Sequence, residues 1–284
     1  MPNFPFHYTP EHLAVGDQPR WVSATDGDTP TVQIPIRMLG IDAPELHYEG
    51  AVEKTPGKYD AQMEKFLTTA GKDLDEGLKA YLQPRLVDKP STRQIQAGKV
   101  ASDHFQEIAT KRLERKGKNG KLLTPRKLFI MVSTQVFDVH GRLLAYINAS
   151  YTKDERAKLP AAKRPTFNLQ MMQDGQAVSL LIYPNVPKPD DLTLVQAAVQ
   201  SARTHPKAGS FWKQGNKVIL PYEFRWIVDT LTGKRKGPDR YCADITTGKL
   251  FSPQQYYKVL PENRLFFFTQ DWTKALTMGF QLIS

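Results

Sequence analysis

Four carboxylates stand at predicted turns and strand ends near the start of the chain: Asp26, Asp28, Asp42 and Glu45. Asp28 follows a glycine turn, whereas Asp42 and Glu45 stand where a strand must end, because Pro44 cannot donate to a central ladder. If the strands are neighbours, three of these acids converge. Close carboxylates raise one another's pKa unless a cation neutralises them, and Ca²⁺ or Mg²⁺ prefers oxygen ligands. The segment is equally consistent with an acidic turn and a helix start.

Two arginines could complete such a site. Arg37 lies on the same predicted strand as Asp42, and Arg142 follows a glycine turn much later in the chain. A guanidinium offers a fork of donors that suits two phosphate oxygens. A metal ion, two arginines and a carboxylate that handles water would form a phosphodiesterase site. Residue spacing alone does not bring Arg142 to it.

These side chains need strands and helices to position them. The alternation of Val32, Ile34, Ile36 and Met38 with polar residues predicts a half-buried strand before Asp42. Further apolar runs predict strands at residues 128–137, 143–147, 218–228, 241–245 and 265–269. Helical spacing predicts helices at residues 61–81, 97–115, 167–174 and 192–205. The C-terminal part is either a small β-rich domain or an extension packed on the first.

Composition limits the function classes. The chain has 284 residues and carries 39 Lys and Arg against 29 Asp and Glu, a net charge of +10 that attracts polyanions, nucleic acid first. One cysteine, Cys242, excludes an internal disulfide framework and a cysteine-rich zinc site. No apolar run approaches the ~20 residues of a membrane span. The first residues do not form a signal peptide, so the expected compartment is cytoplasmic as the chain stands, or extracellular if a leader was removed.

Three segments resemble the staphylococcal nuclease (thermonuclease) family and occur in that family's order. They are Asp26-Gly27-Asp28-Thr29, the run from Arg37 to Glu45 that includes Gly40-Ile41-Asp42-Ala43-Pro44, and the run from His140 to Tyr146. Residues 168–183, with Gly175 inside, are also similar to the family's second helix and the segment after it. The resemblance covers roughly residues 20–212, is interrupted by an insertion at about 46–96, and does not extend to 213–284.

The resemblance implies an α+β protein built on an OB-fold, a five-stranded β-barrel with flanking helices that suits single-stranded nucleic acid. Together with the strand pattern of the C-terminal part, the expected organisation is an N-terminal arm at 1–20, the nuclease-like domain at 21–212 and a β-rich C-terminal extension or small domain at 213–284. The implied activity is Ca²⁺-dependent hydrolysis of DNA or RNA phosphodiesters, leaving 3′-phosphate ends. No membrane partner is expected.

The resemblance also assigns roles. Asp28, Asp42 and the carbonyl of Ala43 match the Ca²⁺ ligands, and Glu45 matches the general base that handles the attacking water. Arg37 and Arg142 match the arginines that bind the phosphate. Tyr183 matches a tyrosine that lines the nucleotide pocket, and His140 either touches a phosphate or is a residue of the turn.

The chain departs from the family pattern in three places. The hairpin between Asp28 and Arg37 is shorter, the insertion at 46–96 follows Glu45 closely, and Leu181 stands where the family has a second pocket tyrosine. The alternative to an enzyme is a non-catalytic nucleic-acid-binding or protein-interaction module on the same fold. The presence of all five charged positions favours the enzyme, since a binding module gains nothing from mutually repelling carboxylates. The sequence leaves open whether DNA or RNA is the substrate.

Overall fold

A computed structural model describes residues 19–117 and 119–283 of the chain. The predicted N-terminal arm, residues 1–20, lies outside the described residues except for its last two. The described residues fall into two compact units. Residues 19–37 and 132–145 form the first unit, and the remainder form the second.

The chain contains helices and strands in mixed order. The helices are α1 (Asp60–Glu64), α2 (Glu76–Leu82), α3 (Pro90–Leu113), α4 (Lys153–Lys158), α5 (Phe167–Gln173), α6 (Pro189–Thr204), α7 (Pro221–Leu231) and α8 (Trp272–Thr277). The strands are β1 (Arg20–Ala24), β2 (Pro30–Gln33), β3 (Ile36–Met38), β4 (Gly40–Asp42), β5 (Arg115–Lys116), β6 (Leu122–Leu123), β7 (Leu128–Phe137), β8 (Leu143–Ala149), β9 (Val178–Ile182), β10 (Arg240–Asp244), β11 (Lys249–Phe251), β12 (Arg264–Phe268) and β13 (Gln281–Leu282).

The strands form open sheets. One has six strands in the order β13-β11-β10-β12-β9-β4, one has three in the order β3-β8-β7, and β1-β2 and β5-β6 are two-stranded. The α+β class expected from the sequence is therefore confirmed. No closed barrel is present among residues 19–117 and 119–283.

The first unit is built from two hairpin turns. β1 and β2 pair antiparallel, with Trp21 opposite Val32 and an irregularity between Trp21 and Ser23. The period-2 alternation before Asp42 does not form one strand: it is divided between β2 and β3, and Pro35 lies at the break because it has no N–H for a ladder. The carbonyl of Pro35 accepts from the backbone N–H of Leu143 at 2.9 Å.

The six-stranded sheet carries the core of the second unit, with β9 between two partners. β4 pairs antiparallel with β9, so that Asp42 lies opposite Val178. β12 pairs parallel with the other edge of β9, with Leu265 opposite Leu181. Residues 213–284 thus share a sheet with the segment before them rather than forming a sheet of their own.

The predicted strand at 218–228 is wrong, because these residues form helix α7. Tyr222, Phe224 and Trp226 are all buried, so the alternation reflected a helix surrounded by core on several sides rather than a half-buried strand. Pro221 occupies the first turn of α7, where its missing N–H costs nothing. The Glu223 carboxylate accepts from the backbone N–H of Leu220 at 2.9 Å, and this contact caps the N-terminus of α7.

The predicted helix at 61–81 is also wrong in its extent, since α1 and α2 are separated by a 3₁₀ turn at Phe66–Thr68 and an irregular stretch. Gly71 packs so closely against the ring of Phe66 that a Cβ at residue 71 would lie 2.6 Å from Cε1 of that ring. Only glycine fits there, and glycine in turn does not favour helix. Helices α3, α5 and α6 agree with the predicted helices, although α3 begins earlier than expected, with Pro90 at its first turn, whereas α4 and α8 were not predicted.

The insertion at 46–96 packs on α7. The ring of Phe66 meets that of Trp226 edge-on, with centroids 5.9 Å apart. The hydroxyl of Tyr81 donates to Glu223 at 2.8 Å, and burial raises the pKa of Tyr81 to about 12. The two segments without family resemblance therefore contribute to one core.

Candidate functional site

Asp42 and Glu45 converge on one cation, the guanidinium of Arg225. Asp42 ends β4 and is fully buried. Nη1 and Nη2 of Arg225 donate to its two oxygens at 2.9 and 2.7 Å, and Nη1 also donates to Glu45. A guanidinium that binds both oxygens of a buried carboxylate balances its charge and satisfies its hydrogen-bonding capacity at the same time. The two acids expected to share a cation thus do share one, and that cation is a side chain.

Local structure explains why Glu45 reaches the same group. Pro44 ends the strand and is itself buried, so the chain turns directly after Ala43. Helix α3 then presses on this turn at Gly98, where a Cβ would lie 2.2 Å from the Glu45 carbonyl oxygen. The backbone of Glu45 is therefore held between β4 and the face of α3.

Arg225 lies on α7, and its side chain is 21% exposed. Burial lowers the pKa of its guanidinium, but the adjacent charges of Asp42 and Glu45 outweigh burial and raise that pKa above its ordinary value. The guanidinium is therefore permanently charged, and it balances one of the two carboxylate charges. The site keeps a net negative charge of one from these three side chains.

Asp28 lies in the turn between β1 and β2, in the first unit. Its side chain is exposed, and it accepts from the hydroxyl of Thr29 at 3.1 Å. Neighbouring Asp26 has a pKa below its ordinary value because the Thr29 side chain and the backbone N–H groups of Asp28 and Thr29 hydrogen-bond to it. The turn is therefore an acidic cluster stabilised by its own hydrogen bonds.

Arg142 is held by Asp138 within the first unit. Its Nε donates to Asp138 Oδ2 at 2.7 Å, and the backbone N–H groups of His140 and Arg142 donate to Oδ1 at 2.9 and 3.0 Å. Burial raises the pKa of Asp138, but these donors outweigh it and hold the pKa below its ordinary value. The turn, with Gly141 in the left-handed region, fixes the orientation of the arginine.

The remaining predicted residues occupy different surroundings. Arg37 lies half-buried on β3 in the first unit, and His140 is exposed at the tip of the turn. In the second unit, Tyr183 follows β9, and its ring stacks on Phe267 with centroids 5.4 Å apart. That contact joins Tyr183 to the core around Leu181 and leaves its ring half-buried.

The site residues are therefore divided between the two units. Asp42, Ala43, Glu45 and Tyr183 belong to the second, while Asp28, Arg37, His140 and Arg142 belong to the first. Within residues 19–117 and 119–283, no group of three or more His, Cys, Asp or Glu side chains is arranged to hold a metal ion. In the same part of the chain, no helix is long and apolar enough to cross a membrane.

Comparison with known proteins does not place the chain in a family. No family model matches it, and no curated protein matches it either.

Sequence reasoning missed Arg225 and Asp138, which hold the predicted residues. Asp138 could have been found, because it lies four residues before Arg142 across a glycine turn, a spacing that suits an ion pair. Arg225 could not, because its segment was interpreted as a strand and 183 residues separate it from Asp42.

Proposed function

We propose that the chain is a Ca²⁺-dependent nuclease that hydrolyses phosphodiester bonds of DNA, RNA or both and leaves 3′-phosphate ends. The observation that carries the proposal is the convergence of Asp42 and Glu45 on a single cation at the end of β4. A carboxylate pair at this point is what the three family-like segments require. The net charge of +10 supports a polyanionic substrate.

The donor chemistry around Asp42 suits a hard divalent ion. The Asp42 carboxylate and the adjacent Ala43 carbonyl are oxygen donors, and Asp28 is the proposed third ligand. Arg225 already binds both oxygens of Asp42, so Ca²⁺ and this guanidinium must share or compete for the same carboxylate. When bound, Ca²⁺ would act as a Lewis acid on the phosphodiester.

The side chains of the protein supply the other functions. Glu45 orients the attacking water and accepts its proton. Arg37 and Arg142 hold the phosphate oxygens, and Asp138 keeps Arg142 in one orientation through two charge-assisted contacts. Tyr183 borders the nucleotide. The OB-fold is part of this proposal, and it is supported by the antiparallel pairs β1–β2 and β4–β9.

The second candidate is a non-catalytic nucleic-acid-binding or protein-interaction module. It is favoured by the burial of Asp42 and the occupation of both its oxygens by Arg225, because a structural ion pair needs no metal. In that case Asp42 and Glu45 would stabilise the fold rather than act on a substrate.

The test is cleavage of a labelled single-stranded DNA and RNA oligonucleotide by the full chain, with Ca²⁺ or with chelator. We expect Ca²⁺-dependent cleavage whose products become extendable only after phosphatase treatment. Glu45→Gln should lower kcat on the order of 10²- to 10⁴-fold, as expected for loss of a general base. Glu53→Gln, which changes an exposed acid in the same unit, is the matched control. Oligonucleotide binding without cleavage under any divalent metal would favour the second candidate.

A further inference from the structure

A small cavity of about 30 Å³ opens beside α7. It lies in the second unit. Its lining combines aromatic rings with charged groups and comes from α7, the loop before β10, and the C-terminal strands and turn: Tyr222, Trp226, Arg235, Pro238, Asp239, Arg240, Tyr256 and Phe266. A cavity of this size holds one or two atoms the size of a water oxygen.

Three of the lining residues carry a buried polar atom with no hydrogen-bond partner among the described residues: Trp226 Nε1, Arg240 Nε and Tyr256 Oη. Trp226 and Tyr256 are only 4% and 2% exposed. Buried polar groups are nearly always hydrogen-bonded, and leaving one unpaired destabilises the fold. Indole and guanidinium nitrogens only donate, so a partner that satisfies them must be a hydrogen-bond acceptor.

Among the described residues that line the cavity, the charge left without an ion pair is that of Arg240, which favours a negatively charged acceptor. Arg235 is already bound to carboxylates, at 2.6 Å from Asp229 and 3.1 Å from Asp239. Arg240 has no ion pair within 4.0 Å among the described residues, and its guanidinium lies over the ring of Phe268 at 5.2 Å. With Asp229 counted beside the lining residues, the formal charges of Arg235, Arg240, Asp229 and Asp239 cancel.

The surroundings of Arg240 disfavour its buried charge. Burial lowers the pKa of its guanidinium, and the nearby charges of Arg225 and Arg235 lower it too, against the attraction of Asp239 and Asp42. An arginine does not lose its proton in a protein, so the cost of burying its charge is met by a counter-ion instead.

We propose that this cavity is a binding site for an oxyanion of the phosphate class, held by Arg240, Tyr256 and Trp226. One or two oxygens of the anion enter the cavity and accept from Tyr256 Oη, Trp226 Nε1 and Arg240 Nε, while the rest of the group stays at the rim near Arg235. The rim reaches the surface, since the Asp239 side chain is 54% exposed. The residues lie in the part of the chain without family resemblance, and the site does not depend on nuclease activity.

The test is binding of inorganic phosphate to the full chain, measured by calorimetry and by the thermal unfolding midpoint. Chloride at matched ionic strength is the reference, because screening alone shifts both readings. We expect phosphate, but not chloride, to raise the midpoint. A nucleoside 5′-monophosphate and its unphosphorylated nucleoside, run in parallel, show whether free phosphate or a nucleotide phosphate is the better source.

Arg240→Gln should weaken phosphate binding on the order of 10- to 100-fold, since it removes a charge-assisted contact. Arg156→Gln, an exposed arginine on α4 in the same unit, should leave binding unchanged. If Arg240→Gln fails to fold, Tyr256→Phe removes a single hydroxyl, with Tyr257→Phe as its control because that neighbour does not line the cavity. We expect only Tyr256→Phe to weaken binding.

Two results would overturn the proposal. The first is a midpoint that responds equally to phosphate and chloride, which would leave water as the partner of the three donors. The second is phosphate binding that Arg240→Gln and Tyr256→Phe leave unchanged. Both readings are of binding, so loss of DNA cleavage has no bearing on them.

Discussion

Arg225 donates to both carboxylate oxygens of Asp42, at 2.9 and 2.7 Å, across 183 positions of sequence. The pair joins the end of β4 to the middle of α7. It therefore links the segment before residue 213 to the C-terminal segment at 213–284, and it places a fixed positive charge at the carboxylate for which a metal ion is proposed.

Removing Arg225 should destabilise the fold strongly. Arg225→Met removes the guanidinium that binds both oxygens of the buried Asp42, and loss of one partner of such a pair costs ~3–5 kcal/mol in the free energy of unfolding. The double variant Asp42→Asn with Arg225→Met should cost less than the sum of the two single changes. Urea unfolding of the wild type and the three variants measures this coupling. Strict additivity would show that the two side chains do not interact.

The same variants bear on metal binding. If Ca²⁺ and Arg225 compete for Asp42, Arg225→Met should bind Ca²⁺ more tightly than the wild type, measured by calorimetry at a temperature where the variant is folded.

Replacing Gly98 by alanine should destabilise the fold, although alanine usually stabilises a helix relative to glycine. Alanine is ~1 kcal/mol better than glycine inside a helix, so an unconstrained position would gain stability. At Gly98 the new Cβ would lie 2.2 Å from the Glu45 carbonyl oxygen, and backbone cannot give way cheaply. We expect Gly98→Ala to lower the midpoint of urea unfolding and, in the proposed nuclease, to lower kcat by moving Glu45. A stabilised Gly98→Ala variant would show that α3 does not press on this turn.

The pairing of Asp174 should make the free energy of unfolding decrease at acidic pH. Burial raises its pKa, but the hydrogen bonds from Lys207 and His104 outweigh burial and hold the pKa below its ordinary 3.8. Lys207 Nζ and His104 Nε2 lie 2.6 and 3.0 Å from its oxygens. A depressed pKa means that the unfolded chain takes up the proton first, so this contribution is full above about pH 4 and is lost as the pH falls through the folded pKa.

The measurement is the free energy of unfolding against pH for the wild type and Asp174→Asn. The wild type should be the more stable above about pH 5, and the gap between the two should narrow below about pH 4. Asp154→Asn, a change at an exposed acid on α4, provides the comparison. A gap that is constant down to pH 2 would mean that Asp174 titrates alike in both states.

The sequence predicted those parts of the structure that local pattern determines. Strands β7 and β8 follow from β-branched and apolar runs around Gly141, and α5 follows from helical spacing ended by Gly175. The end of the strand at Asp42 was also anticipated, since Pro44 cannot donate to a ladder. These features depend on neighbours within a few residues.

The errors have a different physical origin. Tyr222, Phe224 and Trp226 alternate as in a strand, but α7 is buried on several sides, so its apolar positions do not follow a single helical stripe. Arg225 as the cation could not be predicted, because the pairing of β9 with β12 and the packing of α7 bring it to Asp42. Such contacts belong to the topology of the chain rather than to any segment of it.

The packing of the insertion at 46–96 on α7 has a consequence for how the chain can vary. Phe66 and Tyr81 are covered by Trp226 and Glu223, and β9 is covered at one edge by β12. A relative that ended near residue 212 would expose the first set and leave β9 as an open edge prone to aggregation. The insertion and the C-terminal segment should therefore be inherited as a pair, present together or absent together, although more than a hundred residues lie between them.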